Sequence, residues 1–255
     1  IRRRSTAAGE AAPATRTSTL LVSGSAEMGP HAICLYDIDE MAAISAGHLL
    51  TPQQRQLEAV PGHFDLVHGA FNPPVGCVCH DSDFDRAFLG TTSSTVLVVA
   101  LSRLPVRCTH VLDGGDGAVI SCIAYDPAAM YLYAGADDHS VAIWSLGAPN
   151  AERRSTRLSR LDSLPSPPTT LTWVAETARL LVGTGDGAVF EWDLRCAQRT
   201  RSAHPHSMAV TSLQLGEENA GGGERAASSY GKRLFSASID GLVTVWAWQP
   251  ELHEG

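Results

Sequence analysis

The sequence predicts an all-β fold built from repeated four-stranded antiparallel sheets, and three observations support this fold class. A unit of strand, tight turn and strand recurs at 131–144, 179–192 and 233–246. In each copy an Asp precedes the closing Trp by six residues, and an alternating β-branched or aromatic strand lies between them. Further strand-like stretches separate the copies, so each repeat holds about four strands over a period close to ~40–45 residues. This spacing favours blade-shaped sheets over helical solenoids.

The three turns share a chemistry that suits hairpins. Their acidic residues are Asp138, Asp186 and Asp240, and Gly follows the Asp in the second and third copies. Gly tolerates a positive φ, and an Asp carboxylate accepts hydrogen bonds from nearby backbone amides. Two weaker copies extend the series: 87–100 carries Ser94 where the Asp is expected, and 20–37 has extra residues in its turn. The sequence therefore predicts four full sheets and the last two strands of another.

Composition excludes several function classes. The chain has 255 residues, 44% of them hydrophobic, which allows one large domain with a sizeable core. A formal net charge of -8 argues against a general nucleic-acid binder, because affinity for phosphates comes from clustered Lys and Arg. The longest purely apolar run, 96–101, is far shorter than the roughly 20 residues of a transmembrane helix. We therefore expect a soluble protein without a transmembrane segment.

The six cysteines are scattered over the chain, without the density of a disulfide-stapled secreted scaffold. This favours an intracellular and most simply cytoplasmic protein, with nuclear or endosomal association left open. Residues 1–18 are rich in Ala, Arg, Ser and Thr and predict a disordered leader. Residues 19–248 carry the repeats, and 249–255 form a C-terminal tail. Ile1 is not Met, so we expect further residues before it.

These repeats resemble those of the WD-repeat family. The dipeptide that gives this family its name is Trp192-Asp193, and variants of it are Trp144-Ser145, Trp246-Ala247 and Tyr36-Asp37. The resemblance covers about 20–248 and implies a β-propeller, a fold of 4–8 four-stranded blades. This chain supplies about four and a half blades, so we expect an incomplete set.

The resemblance also implies a buried network of His, Ser or Thr, Asp and Trp within a blade. The last blade alone has candidates for all four members, which are His206, Ser238, Asp240 and Trp246. The other blades lack the His, and we expect mainly apolar packing to hold them together. Asp138, Trp144, Asp186 and Trp192 are assigned to the structural repeat.

Members of this family commonly act as non-catalytic platforms, so the resemblance implies protein or peptide partners and no cofactor. Stiff blades hold variable loops in fixed positions, which suits binding. From the blade register, the candidate contact residues are Asp116, Asp137, Ser207, Met208 and Ile239. The acidic members of this set favour basic peptides.

A more specific partner is suggested by Trp192-Asp193-Leu194-Arg195. This string resembles the box of WD-repeat substrate receptors in cullin-RING ubiquitin ligases, in which the Asp and the Arg help to dock an adaptor protein. The simpler interpretation of Asp193 and Arg195 is a surface ion pair of little energetic value. A second resemblance, at 83–90 and 124–138, is to WD-repeat and FYVE-domain endosomal proteins. The zinc cysteines of a FYVE domain are absent here, which leaves a membrane-trafficking adaptor as an alternative without its lipid-binding part.

Catalytic or metal-binding interpretations find little support in the sequence. Cys77, Cys79 and His80 lack the second ligand pair of a structural zinc site, and strand alternation directs His80 away from the two thiols. Asp137-Asp138-His139 lies where the other copies have their turns. No nucleophile elbow, phosphate loop or metalloprotease motif occurs. We therefore predict no enzyme, no metal and no cofactor.

Overall fold

A computed structural model describes residues 2–3, 18–24, 33–37, 74–101, 107–114, 117–147, 155–217 and 232–248. The chain divides into two compact units, Ile1–Ala134 with Ile143–Leu158, and Gly135–Ala142 with Ser159–Gly255. The described residues are mostly strand, which confirms the predicted all-β class. The predicted C-terminal tail, 249–255, lies outside the described residues.

The first two sheets belong to the first unit. A three-stranded sheet, in the order β1-β2-β3, is formed by β1 (Arg2–Arg3), β2 (Ser18–Gly24) and β3 (Ile33–Asp37). Within the segment predicted as a leader, Arg2 pairs with Thr19 and Arg3 with Ser18. A four-stranded antiparallel sheet follows in chain order, with β4 (Val75–Asp81), β5 (Arg86–Thr91), β6 (Thr95–Ala100) and β7 (Arg107–Asp113).

The third sheet contributes residues to both units. Its strands, in the order β11-β10-β9-β8, are β8 (Ile120–Asp126), β9 (Tyr131–Ala136), β10 (Ser140–Ser145) and β11 (Thr156–Leu161). It has the four strands that the repeat predicts.

The last two sheets lie in the second unit. The four-stranded one, in chain order, consists of β12 (Pro168–Val174), β13 (Arg179–Thr184), β14 (Val189–Asp193) and β15 (Gln198–Ala203), with a 3-10 turn at Ala175–Thr177. The three-stranded one consists of β16 (Val210–Glu217), β17 (Lys232–Ser238) and β18 (Val243–Trp248). The described residues thus give the last blade three strands, one fewer than the sequence predicts.

Apolar side chains join neighbouring sheets within the second unit. Val174, Leu181 and Val189 of one sheet form a buried cluster with Val210, Leu213 and Leu234 of the next. Burial of each such side chain stabilises the fold by about 1.5–3 kcal/mol. The sheets approach closely at Gly183, where an added Cβ would lie 2.7 Å from both Thr170 Cγ2 and Val210 Cγ1. Gly90 has the same role in the first unit, where its Cβ would meet Cys77 Sγ and Ile120.

The hairpin turns share one left-handed residue each. Positive φ angles occur at Ser94 (61°), His139 (67°), Gly187 (91°) and Gly241 (82°). Ser94 therefore occupies the glycine place of the turn, and Ser93 occupies the Asp place, so the predicted register of 87–100 is wrong by one residue. The reason lies before the strand: Asp85 and Ala178 both have a positive φ, which makes Arg86, not Ala87, the counterpart of Arg179.

Candidate protein-interaction surface

Two loops of the second unit meet at the end of the last blade and form what we call the turn surface. Its exposed residues are Ser207, Met208, Ile239 and Leu242. Three hydrogen bonds hold the loops together: the Ser207 amide donates to Asp240 Oδ2 (3.0 Å), the Ser238 hydroxyl to the Met208 carbonyl (2.9 Å), and the Ile239 amide to the Ala209 carbonyl (3.1 Å). The predicted contacts Ser207, Met208 and Ile239 are therefore brought together.

The turn surface is apolar. Met208 is 49% exposed, Ile239 61% and Leu242 59%, and Val243 continues the exposed apolar residues into β18. Single exposed apolar side chains are ordinary, but neighbouring ones on hydrogen-bonded loops mark interaction sites. Sequence reasoning missed Leu242. A signal was available, because the other turns carry the small residues Ser140 and Ala188 at this place.

A buried network lies beneath the turn surface. His206 is only 3% exposed, its Nδ1 lies 3.2 Å from Asp240 Oδ2, and its Nε2 lies 2.8 Å from Ser236 Oγ. The Trp246 indole donates to Ser236 Oγ at 3.3 Å. Since an indole N–H can only donate, the Ser236 hydroxyl proton is free for Nε2, and Nδ1–H is directed to the carboxylate. The network therefore links Asp240, His206, Ser236 and Trp246 beneath the turn surface.

Ser236, and not the predicted Ser238, is the hydroxyl member of this network. Both residues lie on β17 two positions apart, so their side chains point to the same face of the sheet and strand alternation cannot distinguish them. Ser236 pairs with Thr244 in the middle of the ladder, near the Trp246 indole. Ser238 ends the strand and binds the turn instead, because its hydroxyl also accepts from the Asp240 amide at 3.2 Å.

Asp240 connects the network to the turn surface. Burial alone would raise the pKa of Asp240, but hydrogen bonds from the Leu242 and Ser207 amides, and then His206, outweigh burial and lower it. The carboxylate is therefore ionised at neutral pH and stays bound to both loops. Gly187 of the preceding blade packs here with φ +91°, and an added Cβ would clash with the His206 carbonyl.

The other predicted acidic residues differ in their surroundings. Asp116 lies outside the described residues, and Asp137 is exposed at the β9–β10 turn. Asp138 accepts from the Ser140 hydroxyl (2.6 Å) and the Arg160 guanidinium (2.7 Å). Asp186 accepts from the Thr184 hydroxyl (2.6 Å), and this bond, together with the Ala188 amide, keeps the Asp186 pKa low despite burial. Asp138 and Asp186 thus close their own hairpins.

Asp193 and Arg195 form a two-bond ion pair. Arg195 donates to Asp193 through Nε (3.0 Å) and Nη2 (2.6 Å), and the Arg195 amide adds a third bond at 3.0 Å. These bonds lower the pKa of Asp193 to about 2. The Asp193 side chain is 4% exposed and that of Arg195 58%. Arg195 can reach a partner, whereas the Asp193 carboxylate acts by orienting it.

Asp193 also faces a buried arginine that sequence reasoning missed. Arg179 is 1% exposed and donates to Glu191 Oε1 (2.5 Å) and the Thr200 hydroxyl (2.9 Å), with Asp193 Oδ2 at 3.5 Å. In the first unit Arg86 has the equivalent strand position. It is also buried and binds Asp81 (2.7 Å) and the Tyr125 hydroxyl (3.0 Å). Buried ion pairs therefore add to the apolar packing in these blades.

The thiols near His80 have the properties of packed side chains. Burial raises the pKa of Cys77 to about 12 and that of Cys79 to about 11, so both thiols stay protonated at neutral pH. Cys77 Sγ donates to the Ile120 carbonyl of the next sheet. Among the described residues, no group of three or more His, Cys, Asp or Glu side chains could hold a metal ion, and no helix is long and apolar enough to cross a bilayer.

Comparison with known proteins places these blades in a class. Residues 106–145, which run from β7 to β10, match the family described as WD domain, G-beta repeat. A crystal structure of the RRP9 WD40 repeats superimposes with a TM-score of 0.54 at 18% identity, over 68% of this chain and 48% of that one. The chain therefore contains WD40 repeat sequence, and its sheets are blades of the WD40 propeller fold, as predicted.

Individual relatives include a WD-repeat protein and a transducin beta-like protein. The mouse WD repeat and FYVE domain-containing protein 1 is 27% identical over 124 residues, 49% of this chain and 29% of the relative. The bovine transducin beta-like protein 3 is 33% identical over 145 residues, 55% of this chain and 17% of the relative. The chain thus spans less than a third of either relative, and the predicted resemblance to WD-repeat and FYVE-domain proteins is confirmed at the level of sequence.

Proposed function

We propose that this chain is a non-catalytic scaffold that binds protein or peptide partners through the turn surface. The observation that carries the proposal is the set of exposed apolar side chains of Met208, Ile239 and Leu242 on two loops joined through Asp240. A surface already fixed by hydrogen bonds loses little conformational entropy when a partner binds. The Asp240 carboxylate is mostly buried, so the exposed chemistry favours apolar side chains of a partner over purely basic ones.

The test compares partner capture by variants that replace side chains of similar exposure inside and outside the turn surface. We expect Ile239→Ser and Met208→Ser each to reduce captured partners about five- to thirtyfold in quantitative affinity purification, the range for interface anchors. Leu158→Ser is the matched control, because Leu158 is 50% exposed on β11 and lies outside the turn surface. Equal capture by wild type and both turn-surface variants would refute the assignment. Asp137→Asn in the same assay tests the predicted contribution of that exposed acid.

As a second candidate we propose that Arg195 docks a ubiquitin-ligase adaptor. This proposal is favoured by the ion pair that holds an exposed guanidinium in a fixed orientation beside Asp193. Arg195→Ala should abolish co-purification with the adaptor, whereas Arg199→Ala, an exposed neighbour on β15, should not. Unchanged adaptor recovery with Arg195→Ala would remove this candidate and leave the scaffold proposal standing.

A further inference from the structure

The loop between β11 and β12 exposes one hydroxyl between two buried anchors. Leu161 and Leu164 are 5% and 4% exposed, so buried side chains hold the loop to the second unit on both sides. Between them, Asp162 Oδ1 accepts from Arg160 Nε at 2.5 Å. The next residue, Ser163, is exposed. The fold therefore presents the Ser163 side chain to solvent on a loop that is fixed at both ends.

The Ser163 hydroxyl has no role in holding the described part of the chain together. It forms no hydrogen bond with a described residue, whereas the Ser140 hydroxyl at the neighbouring turn donates to Asp138. The backbone of Ser163 has a φ of 74°, a conformation that glycine adopts more readily than serine. The local fold thus favours glycine at this position, and the hydroxyl is available for chemistry with another molecule.

The surroundings of Ser163 suit an enzyme that acts on the hydroxyl. Residues 162–167 belong to no strand or helix, so this segment can be extended in an active site without the loss of ladder hydrogen bonds. Arg160 lies three residues before Ser163. Protein kinases select their substrates by such charge patterns, and an acidic substrate groove binds an Arg at a fixed distance from the acceptor.

The Arg160 guanidinium is accessible to such a groove. Its side chain is 28% exposed and binds Asp162 and, at 2.7 Å, Asp138 Oδ2 of the β9–β10 turn. Ion pairs near the surface contribute little free energy. The carboxylates of a kinase can therefore replace either of these partners.

We propose that Ser163 is phosphorylated by a protein kinase that recognises Arg160, and that the phosphate then draws Arg160 away from Asp138. Ser163 Oγ attacks the γ-phosphorus of ATP, the bond from this phosphorus to the β,γ-bridging oxygen breaks, and ADP leaves. The hydroxyl proton passes to the catalytic Asp of the kinase. The product carries a phosphate charge of about −1.5 to −2 at neutral pH.

The added charge changes the contacts of the β9–β10 turn. His139 Nδ1 lies 3.3 Å from the Leu164 carbonyl oxygen, so the turn and the loop are in contact. A phosphate accepts two parallel, charge-assisted hydrogen bonds from a guanidinium and carries more charge than a carboxylate. Arg160 therefore moves to the phosphate, and Asp138 loses its ion pair with β11.

The test uses the folded full chain, magnesium ATP and the catalytic domain of calcium/calmodulin-dependent protein kinase II, which accepts Arg three residues before Ser. Mass spectrometry of proteolytic peptides follows the phosphate at each site. Ser163 should gain phosphate, and Arg160→Gln should slow this reaction about tenfold or more, because a charge-assisted contact is lost. Arg225 and Ser228 have the same spacing, so phosphorylation of Ser228 is the internal control and should not change with Arg160→Gln.

Two turn variants distinguish recognition of Arg160 from a general effect on folding. Asp138→Asn weakens the hold on Arg160 and should raise the phosphorylation rate of Ser163 about two- to fivefold. Asp186→Asn changes the equivalent Asp of the next blade, whose carboxylate binds Thr184, and should leave the rate unchanged. Phosphorylation should also shift the Arg160 Nε–H and Asp138 amide signals in NMR spectra, and Ser163→Ala treated with the kinase should not show these shifts.

Any of four results would overturn the proposal: phosphate at Ser228 but not at Ser163 in the folded chain, reaction at Ser163 only after heat denaturation, equal rates for wild type and Arg160→Gln, or unchanged Arg160 signals after phosphorylation. The proposal goes beyond the turn surface and does not depend on it. Ile239→Ser and Met208→Ser should be phosphorylated at the wild-type rate. Loss of partner capture by these two variants therefore reports on the turn surface alone.

Discussion

Substitution of Arg179 by Met should destabilise the second unit more than any surface change on the same sheet. The Arg179 guanidinium is 1% exposed and lies between two carboxylates that are almost as deeply buried, those of Glu191 and Asp193. In the variant Asp193 retains Arg195, and Glu191 retains the Thr200 hydroxyl at 3.1 Å but loses its guanidinium. Removal of one member of a buried ion pair costs about 3–5 kcal/mol. That is about a fifth or more of the ~5–15 kcal/mol typical of a folded domain.

The second variant in this series separates charge from packing. Replacement of both Arg179 and Glu191 by Met removes the carboxylate charge that the single variant leaves in the interior without its guanidinium. Replacing a buried ion pair by apolar side chains often leaves stability unchanged. We expect the double variant to recover about 2 kcal/mol or more relative to Arg179→Met. Arg233→Met is the matched control, because Arg233 has the same strand position on β17 and is exposed. Its cost should stay within about 0.5 kcal/mol.

Urea unfolding followed by tryptophan fluorescence is the assay. Four of the five tryptophans, Trp173, Trp192, Trp246 and Trp248, belong to the second unit, so fluorescence reports mainly on the part of the chain that contains Arg179. The free energy of unfolding comes from the midpoint and the slope. A cost below about 1 kcal/mol for Arg179→Met, or a double variant no more stable than the single one, would refute the ion-pair argument.

Three other predictions concern the turns and the buried network. Gly187→Ala should cost at least about 2 kcal/mol more than Gly241→Ala in urea unfolding, because both have a positive φ but Gly187 alone would clash with the His206 carbonyl; equal costs would contradict the packing. The pKa of Asp193 lies near 2, below its ordinary value of 3.8, so its contribution of about 1–2 kcal/mol is present above pH 4 and is lost as pH falls toward 2. Unfolding free energies of wild type and Asp193→Asn should therefore converge over that interval, and a constant difference would contradict this sign. His206→Ala should cost about 2–3 kcal/mol and release the Ser207 amide to fast hydrogen exchange, whereas continued protection would show that Asp240 holds the loop without His206.

Most of the fold could be predicted because its signal is local and repeated. The Asp in each turn, the Trp six residues later and the alternating strand between them are contained within each hairpin, so a single chain displays the pattern several times. The register of 87–100 failed because that hairpin has neither the Asp nor the Trp. Its true alignment depends on the positive φ of Asp85 and Ser94, and a positive φ is uncommon outside glycine.

The hydroxyl member of the buried network and the buried arginines lay beyond sequence reasoning for a different reason. Ser236 and Ser238 have the same parity on β17, and only the position of the indole in three dimensions selects the former. Arg86 and Arg179 occupy a place that is exposed in the last blade, where Arg233 stands. Whether an arginine at this place is buried depends on a carboxylate that another strand supplies, and the repeat pattern contains no information about that partner.

The turn Asp also explains why the candidate surface arises at the last blade. Asp138 and Asp186 bind hydroxyls two residues away within their own hairpins, and Asp138 adds Arg160 of β11. In the described contacts, Asp240 differs because its carboxylate binds the loop before β16, where it accepts a hydrogen bond from the Ser207 amide. His206 lies beneath the turn and directs Nδ1 to the same oxygen. A histidine placed before a blade therefore converts a residue that closes one hairpin into a residue that positions two loops, and those two loops carry the exposed apolar side chains.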